Sequence, residues 1–270
     1  MIVCRSADEI ARLRAANRLV AEVLRDLQAM VAPGVTTQEL DAVAEARVRE
    51  VGAVPAFKGY QGYPATLCVS VNDAVVHGIP SDRALEDGDI VSIDMGVVLD
   101  SYYGDSALTV GVGPVSELAS TLMTVTREAL DFAIAKVRVD GRVSDLGHAV
   151  QQHVEAHGFS VVRDFVGHGI GTQLHEEPQI PNYGEPGRGP RLLEGMVLAI
   201  EPMVNSGHPG VRVLDDGWTA VTRDGGLSAH FEHSVAVTAD GPEVLSCRPD
   251  DTVAAADDAP GRYSFSGERH

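Results

Sequence analysis

The chain is poor in positive charge, in cysteine and in long apolar runs. Its 270 residues carry 21 Lys and Arg against 39 Asp and Glu, a formal net charge of −18. That balance argues against binding nucleic acid through a broad basic surface. The three cysteines, Cys4, Cys68 and Cys247, are odd in number and sparse, which argues against a disulfide framework and for a reducing cytoplasm. No apolar run nears the length of a membrane span, and MIVCRSADEI is not a signal peptide. It reads instead as a short strand and the start of a helix. With 44% hydrophobic residues, the chain has the composition of an ordinary globular protein, long enough for one large domain or two smaller ones.

What the chain does have is a polar, bent stretch in its middle. GHGIGTQLHEEP, Gly167 to Pro178, holds His168 and His175 between glycines. Glycine lets a backbone pass close to a ligand while a neighbouring side chain projects toward it. The stretch is costly to build in an apolar-rich chain, and so suggests a site.

The elements around it follow from periodicity and caps. Ser6 to Glu9 is a capping box, and apolar residues recur at helical spacing from Ile10 to Leu27, interrupted by Asn17. Pro33-Gly34 stops that helix near Met30. Thr36 to Glu39 is a second capping box, opening a helix that ends at Gly52. Pro55 to Pro64 reads as a loop, Thr66 to Val71 as a strand, and Asn72 to Pro80 as a turn carrying His77. Asp89 to Leu99 and Tyr102 to Val110 are apolar strands, each with one misfit, Asp94 and Asp105. A helix is expected from Ser116 to about Val137. Met196 to Val204 reads as a strand with Glu201, and Ala229 to Thr238 as a strand with Glu232.

Gly141 to Gly158 resembles Gly34 to Gly52, with Leu146, Val154 and Gly158 matching Leu40, Val48 and Gly52. Each copy precedes a His-Gly-Ile triplet, at His77 and at His168. Two related halves around a shared centre are implied, with the two histidines at equivalent points.

Asp94, Asp105, Glu201 and Glu232 interrupt apolar strands that offer few Lys or Arg to pair with them. A lone buried carboxylate must be neutralised, paired or metal-bound. Any one of the four fits an ordinary edge or salt-bridge role. All four together with His168 fit two divalent ions sharing bridging carboxylates, a device that activates water and polarises a carbonyl. His77 and His175 are then free to hydrogen-bond a substrate and its transition state. His153 and His157 do not make an HExxH motif, because Glu155 points away from their face. They read as solvent-facing, as do His148, His208, His230 and His233, although the last two flank Glu232 and could support the site from behind its ligands.

The segments GYQGYP, VNDAVVHGIP, IDMGVVLDSYYGD, GHGIGTQLHEEP, IEPM and DGWT to FEHS resemble those of the bacterial-type (type I) methionine aminopeptidases, from the first helix to about Leu245. The resemblance implies an α+β pita-bread fold, two pseudo-symmetric αβ halves around a curved antiparallel sheet. It implies a catalytic domain over 1–247 and leaves an acidic, disordered tail at 248–270. It implies two divalent ions (Co, Mn, Fe or Zn), with Asp94 on one, His168 and Glu201 on the other, and Asp105 and Glu232 bridging. A bridging water or hydroxide would attack the carbonyl after the initiator methionine when the second residue is small. Glu201 would accept the proton, His175 would steady the oxyanion, and His77 would contact the scissile amide. Tyr60, Tyr63, Cys68, His77, His175 and Trp218 would hold the substrate. Asn72 and Ser228 match a monovalent-cation site of some relatives. Phe57 stands where Cys is common and Leu174 where Phe is common, which alters the pocket. The expected setting is cytoplasmic and monomeric, with nascent chains as substrates, transient ribosome contact, and neither nucleic acid nor membrane as partner. The rivals are a proline-directed peptidase of the same fold and a non-catalytic binding module.

Overall fold

The computed structural model describes residues 1–248. The tail expected beyond Cys247 lies outside the described residues except for Arg248, which is buried. Residues 1–6 form no strand, contrary to expectation. The chain enters α1 (Ala7–Met30) directly, on the expected capping box: Ser6 Oγ accepts from Glu9 N, and Glu9 Oε2 accepts from Ser6 N at 2.9 Å. The apolar stripe of α1, Leu13, Ala16, Val20, Val23, Leu24 and Leu27, is fully buried. Asn17, the polar interruption, is buried too, and has a task. Its Nδ2 donates to Leu13 O and its Oδ1 accepts from the backbone N of Asp105 at 3.2 Å. Gly104 permits this approach, since a Cβ there would meet the α1 backbone at 2.7 Å.

After α1 the first half runs through α2 (Thr37–Glu50), β1 (Val54–Pro55), a 3-10 turn at Tyr60–Gly62, β2 (Leu67–Val71), β3 (Ala74–Val76), β4 (Ile90–Leu99) and β5 (Tyr102–Gly111). The second half runs through α3 (Glu117–Ile134), α4 (Val143–Ala156), β6 (Ser160–Val161), β7 (Gly167–Gly169), β8 (Glu176–Ile180), β9 (Val197–Ile200), β10 (Met203–Asn205), β11 (Val211–Val213), β12 (Ala220–Thr222), β13 (Ser228–His230), β14 (Glu232–Thr238) and β15 (Gly241–Val244). Helices α2 and α4 have 14 residues each and both stop at a glycine of left-handed φ, Gly52 at 77° and Gly158 at 78°. Among the described residues no helix is long and apolar enough to cross a membrane.

A nine-stranded antiparallel sheet runs in the order β1-β4-β5-β14-β9-β7-β8, with β2 on β4 and β15 on β14. Its centre is the β5–β14 contact, where Ala107 faces Glu232 and Ser106 faces His233. That register defines a local two-fold axis. Asp94 pairs with Ala107, and Glu201 follows Ile200, the partner of His233. The axis therefore carries Asp94 onto Glu201. The same operation carries His168, which pairs with Ala199, onto Ser70, the partner of Ser92. The two His-Gly-Ile triplets are thus not equivalent. His168 lies within a strand, whereas His77 follows β3 with a left-handed φ of 59°.

Two expected strands are broken. Met196 to Val204 divides into β9 and β10 at Glu201-Pro202, and Ala229 to Thr238 divides into β13 and β14 at Phe231. Proline has no N–H for a ladder. Beyond the breaks β10 pairs with β13 in a separate three-stranded sheet. Both strands therefore change sheets together, and Glu201 and Glu232 stand at the crease.

Candidate active site

Asp94 comes from the middle of β4, Asp105 from β5, His168 from β7, Glu201 from the end of β9 and Glu232 from the start of β14. The structure brings these five expected residues together. One donor atom each from Asp105, His168 and Glu232 lies within 4.8 Å of the others, and so does one each from Asp94, His230 and Glu232. His168 Nε2 is 3.5 Å from Glu201 Oε1 and 3.9 Å from Asp105 Oδ2. Asp105, Glu232 and His168 are buried, while Asp94 and Glu201 are partly open.

No basic side chain among the described residues neutralises these carboxylates. Among the described residues no Lys or Arg forms an ion pair with any of the four. Asp94 Oδ1, Asp105 Oδ1 and Glu232 Oε1 are buried without a hydrogen-bond partner. Burial raises the pKa of all four, Asp94 to about 7. Glu232 and Asp94 push Asp105 up further, as Asp94 and Asp105 do Glu201, and Glu201 and Asp94 do Glu232. Orphaned oxygens in a shared acidic pocket are what a divalent cation satisfies. The histidine suits the same occupant. His168 Nδ1 donates to Gly169 O at 2.9 Å, and burial holds the ring's pKa near 4, so neutral His168 presents a bare Nε2 to the carboxylates.

His175 follows on the loop between β7 and β8. Its ring packs against His168 at 4.4 Å between centroids, and its Nδ1 lies 2.8 Å from the Tyr60 hydroxyl. Burial lowers the pKa of His175, and burial followed by His175 holds His77 near 4. The His77 ring meets Phe165 edge-on.

On the other side of His175 lies an apolar cluster. Tyr63, Cys68, Phe57, Ile170 and Leu174 form its buried part, with Tyr60, Ile79 and Trp218 packed against it. Cys68 pairs with Asp94 across β2 and β4, and burial plus that carboxylate push its thiol up, so it stays protonated. Tyr63 is fixed by its hydroxyl, 2.9 Å from both Leu67 O and Gly78 O, and meets Trp218 edge-on. Phe57 and Leu174, the two unusual residues, therefore do belong to this cluster.

The family model of metallopeptidase family M24 matches residues 11–239. The chain is 54% identical over 246 residues to the methionine aminopeptidase of Clostridium perfringens, covering 91% of this chain and 99% of that one. This chain belongs to the methionine aminopeptidases of family M24. The methionine aminopeptidase structure from Rickettsia prowazekii superposes with a TM-score of 0.90 at 42% identity, over 92% of this chain and 100% of that one. The pita-bread expectation is met. The Pyrococcus furiosus prolidase shares the fold alone, at 23% identity and a TM-score of 0.73, and this chain spans 65% of its length.

Within this M24 site three features depart from the default reading of the sequence. His230 was expected at the surface, yet it is buried, with its Nδ1 3.4 Å from Pro202 O and a ring nitrogen beside Asp94 and Glu232. His233 is buried as well and bonds Ser246. The signal was present: both flank Glu232 in one apolar run, which the fold divides between β13 and the central β14. His153 is likewise half-buried, on Glu128 at 3.0 Å, while His157 and His208 are exposed as expected. His148 is half-buried against Gly184 O. The third feature is Arg5, whose guanidinium reaches Glu176 beside His175. Asn72 and Ser228 do meet, Ser228 N donating to Asn72 O at 2.8 Å.

Proposed function

We propose that this metallopeptidase releases the N-terminal methionine of peptides and nascent proteins whose second residue is small. One observation carries the reading. Tyr60 joins the two parts of the site, its ring packed on the apolar cluster and its hydroxyl on His175. A side chain lodged among Tyr60, Tyr63, Cys68 and Trp218 would leave the next peptide bond beside His175 and the carboxylates. Methionine suits that cluster, being unbranched, apolar and favourably placed against aromatic edges.

Asp94 would hold one divalent ion, His168 and Glu201 another, with Asp105 and Glu232 shared between them. Such a pair supplies Lewis acidity toward a carbonyl oxygen and a water of lowered pKa. The remaining roles fall to side chains. Glu201, just past the end of β9 and with its side chain 15% exposed, is the carboxylate that would take up a proton. With Tyr60 donating to Nδ1, neutral His175 keeps its proton on Nε2 and can donate to an oxyanion. His77, also neutral, would contact the departing amide. The odd, sparse set of three cysteines supports work in a reducing compartment, the cytoplasm, where new chains emerge.

The test is release of free methionine from Met-Ala-Ser and Met-Lys-Ser by stripped protein given Mn or Co. Release from the first alone, dependent on the metal, is the expected result. Cleavage of an X-Pro peptide instead would replace this reading with the proline-directed one, and cleavage of neither would point to a binding module.

A further inference from the structure

We infer that Arg5 is a positioning residue for His175, acting through Glu176. The inference rests on the role proposed for His175 above. Arg5 lies in the extended segment before α1, where its backbone N donates to Gly195 O at 2.7 Å. Its side chain turns inward. Nη2 lies 2.5 Å and 2.6 Å from the two oxygens of Glu176, and the side chains of the pair are only 6% and 10% exposed. Glu176 Oε1 also accepts from the backbone N of Thr172 at 2.9 Å and of Gln173 at 3.1 Å. One carboxylate thus closes the loop on itself and fastens it to the N-terminal segment. His175 is the residue immediately before it.

The surroundings are cut to admit this guanidinium. A Cβ at Gly171 would collide with Arg5 Nη2, and a Cβ at Gly195 would fall 2.6 Å from Arg5 O. The loop it braces is exposed and follows a run of alternating glycines. Gly167, Gly169 and Gly171 precede it, and Thr172, Gln173 and His175 are exposed. The ring of His175 is held by Tyr60, but its backbone is held by Glu176, and Glu176 by Arg5. Buried, charge-assisted bonds of this kind fix geometry as well as adding stability. A displacement of about 1 Å in such a group costs about a hundredfold in rate.

The experiment compares metal-loaded wild type with Arg5→Met, Arg5→Lys and Glu176→Gln, each also in a His175→Ala background. Methionine release, metal content and the Cε1–H proton resonance of His175 are measured. Arg5→Met is expected to lower kcat about tenfold to a hundredfold with KM within about twofold, leave metal content unchanged, and shift or broaden the His175 resonance. In a further variant, Arg5→Ala, which leaves room for it, added guanidinium should restore part of the activity. In the His175→Ala background Arg5→Met should cost nothing further. An undiminished loss in that background, or an unshifted sharp resonance in Arg5→Met, would overturn the inference. If Arg5→Met fails to fold, Arg5→Lys and Glu176→Gln carry the same test. Wild type inert on Met-Ala-Ser would sink the proposed activity, while the resonance would still decide the role of Arg5.

Discussion

The two halves of the molecule share a plan and differ in finish. Helix α2 and helix α4 match in length and end in glycines of nearly the same φ. The sheet register places Asp94 and Glu201 at corresponding points. Yet the first half presents its carboxylates from two unbroken ten-residue strands, β4 and β5. The second half breaks the matching strands at Pro202 and Phe231 and leaves a glutamate at each break. Asp105 and Glu232 have no acidic counterparts, for the local axis carries them onto His230 and Ala107. Repetition builds the scaffold, and departure from repetition builds the chemistry. The shorter carboxylates come from strands that run through the site, the longer ones from strands that stop at it.

That contrast can be tested from its largest consequence downward. Glu201→Ala should abolish turnover with the fold intact, and Glu201→Asp should still lower kcat about a hundredfold, since the break sets the reach required of that side chain. Full activity in Glu201→Asp, read in the same methionine-release assay, would dissolve the link between side-chain length and strand break. His175→Ala, on the asymmetric loop, should lower kcat by about 10²–10³ while elemental analysis finds the metal retained. Loss of the metal would make it a ligand instead.

In the scaffold the halves should behave alike. Leu40 and Leu146 are matched and fully buried, so Leu40→Ala and Leu146→Ala should each cost about 2–5 kcal/mol in denaturant unfolding. A large disparity would mean that one half folds around the other. The smallest effect concerns the shared centre. Stripped of metal, the protein keeps carboxylates whose folded pKa is raised by burial, Asp94 to about 7 from the ordinary 3.8. Their contribution to stability is present in full below the unfolded value and fades as pH rises through the folded one. Stripped protein should therefore melt a few degrees lower at pH 8 than at pH 5, a gap that bound metal closes.

The sequence announced the scaffold better than the finish. Capping boxes at Ser6 and Thr36 placed two helix starts correctly, because their signal is local. The four carboxylates stood out because each contradicted its apolar strand. The strand breaks were missed, since Pro202 and Phe231 lie inside continuous apolar runs and only their partners in a second sheet reveal the switch. His230 and His233 were misplaced for the same reason: burial depends on a strand's position in the sheet, which periodicity does not give. Asn17 read as an interruption until the fold put Asp105 against it. Arg5 was invisible, because its partner stands 171 residues away.

The central place of β14 has a consequence for how the molecule is made. In the finished sheet this strand lies between β5 and β9. In the chain it comes after all its neighbours but β15. During synthesis β5 must wait with one edge unpaired while the whole second half emerges, a state that exposes a chain to wrong pairing. Glu232, the last of the five gathered residues, arrives with that strand. The first half can be out of the exit tunnel and largely collapsed while the site is still incomplete. An enzyme proposed to trim the beginnings of new proteins thus gains its own competence only once this late central strand has been made.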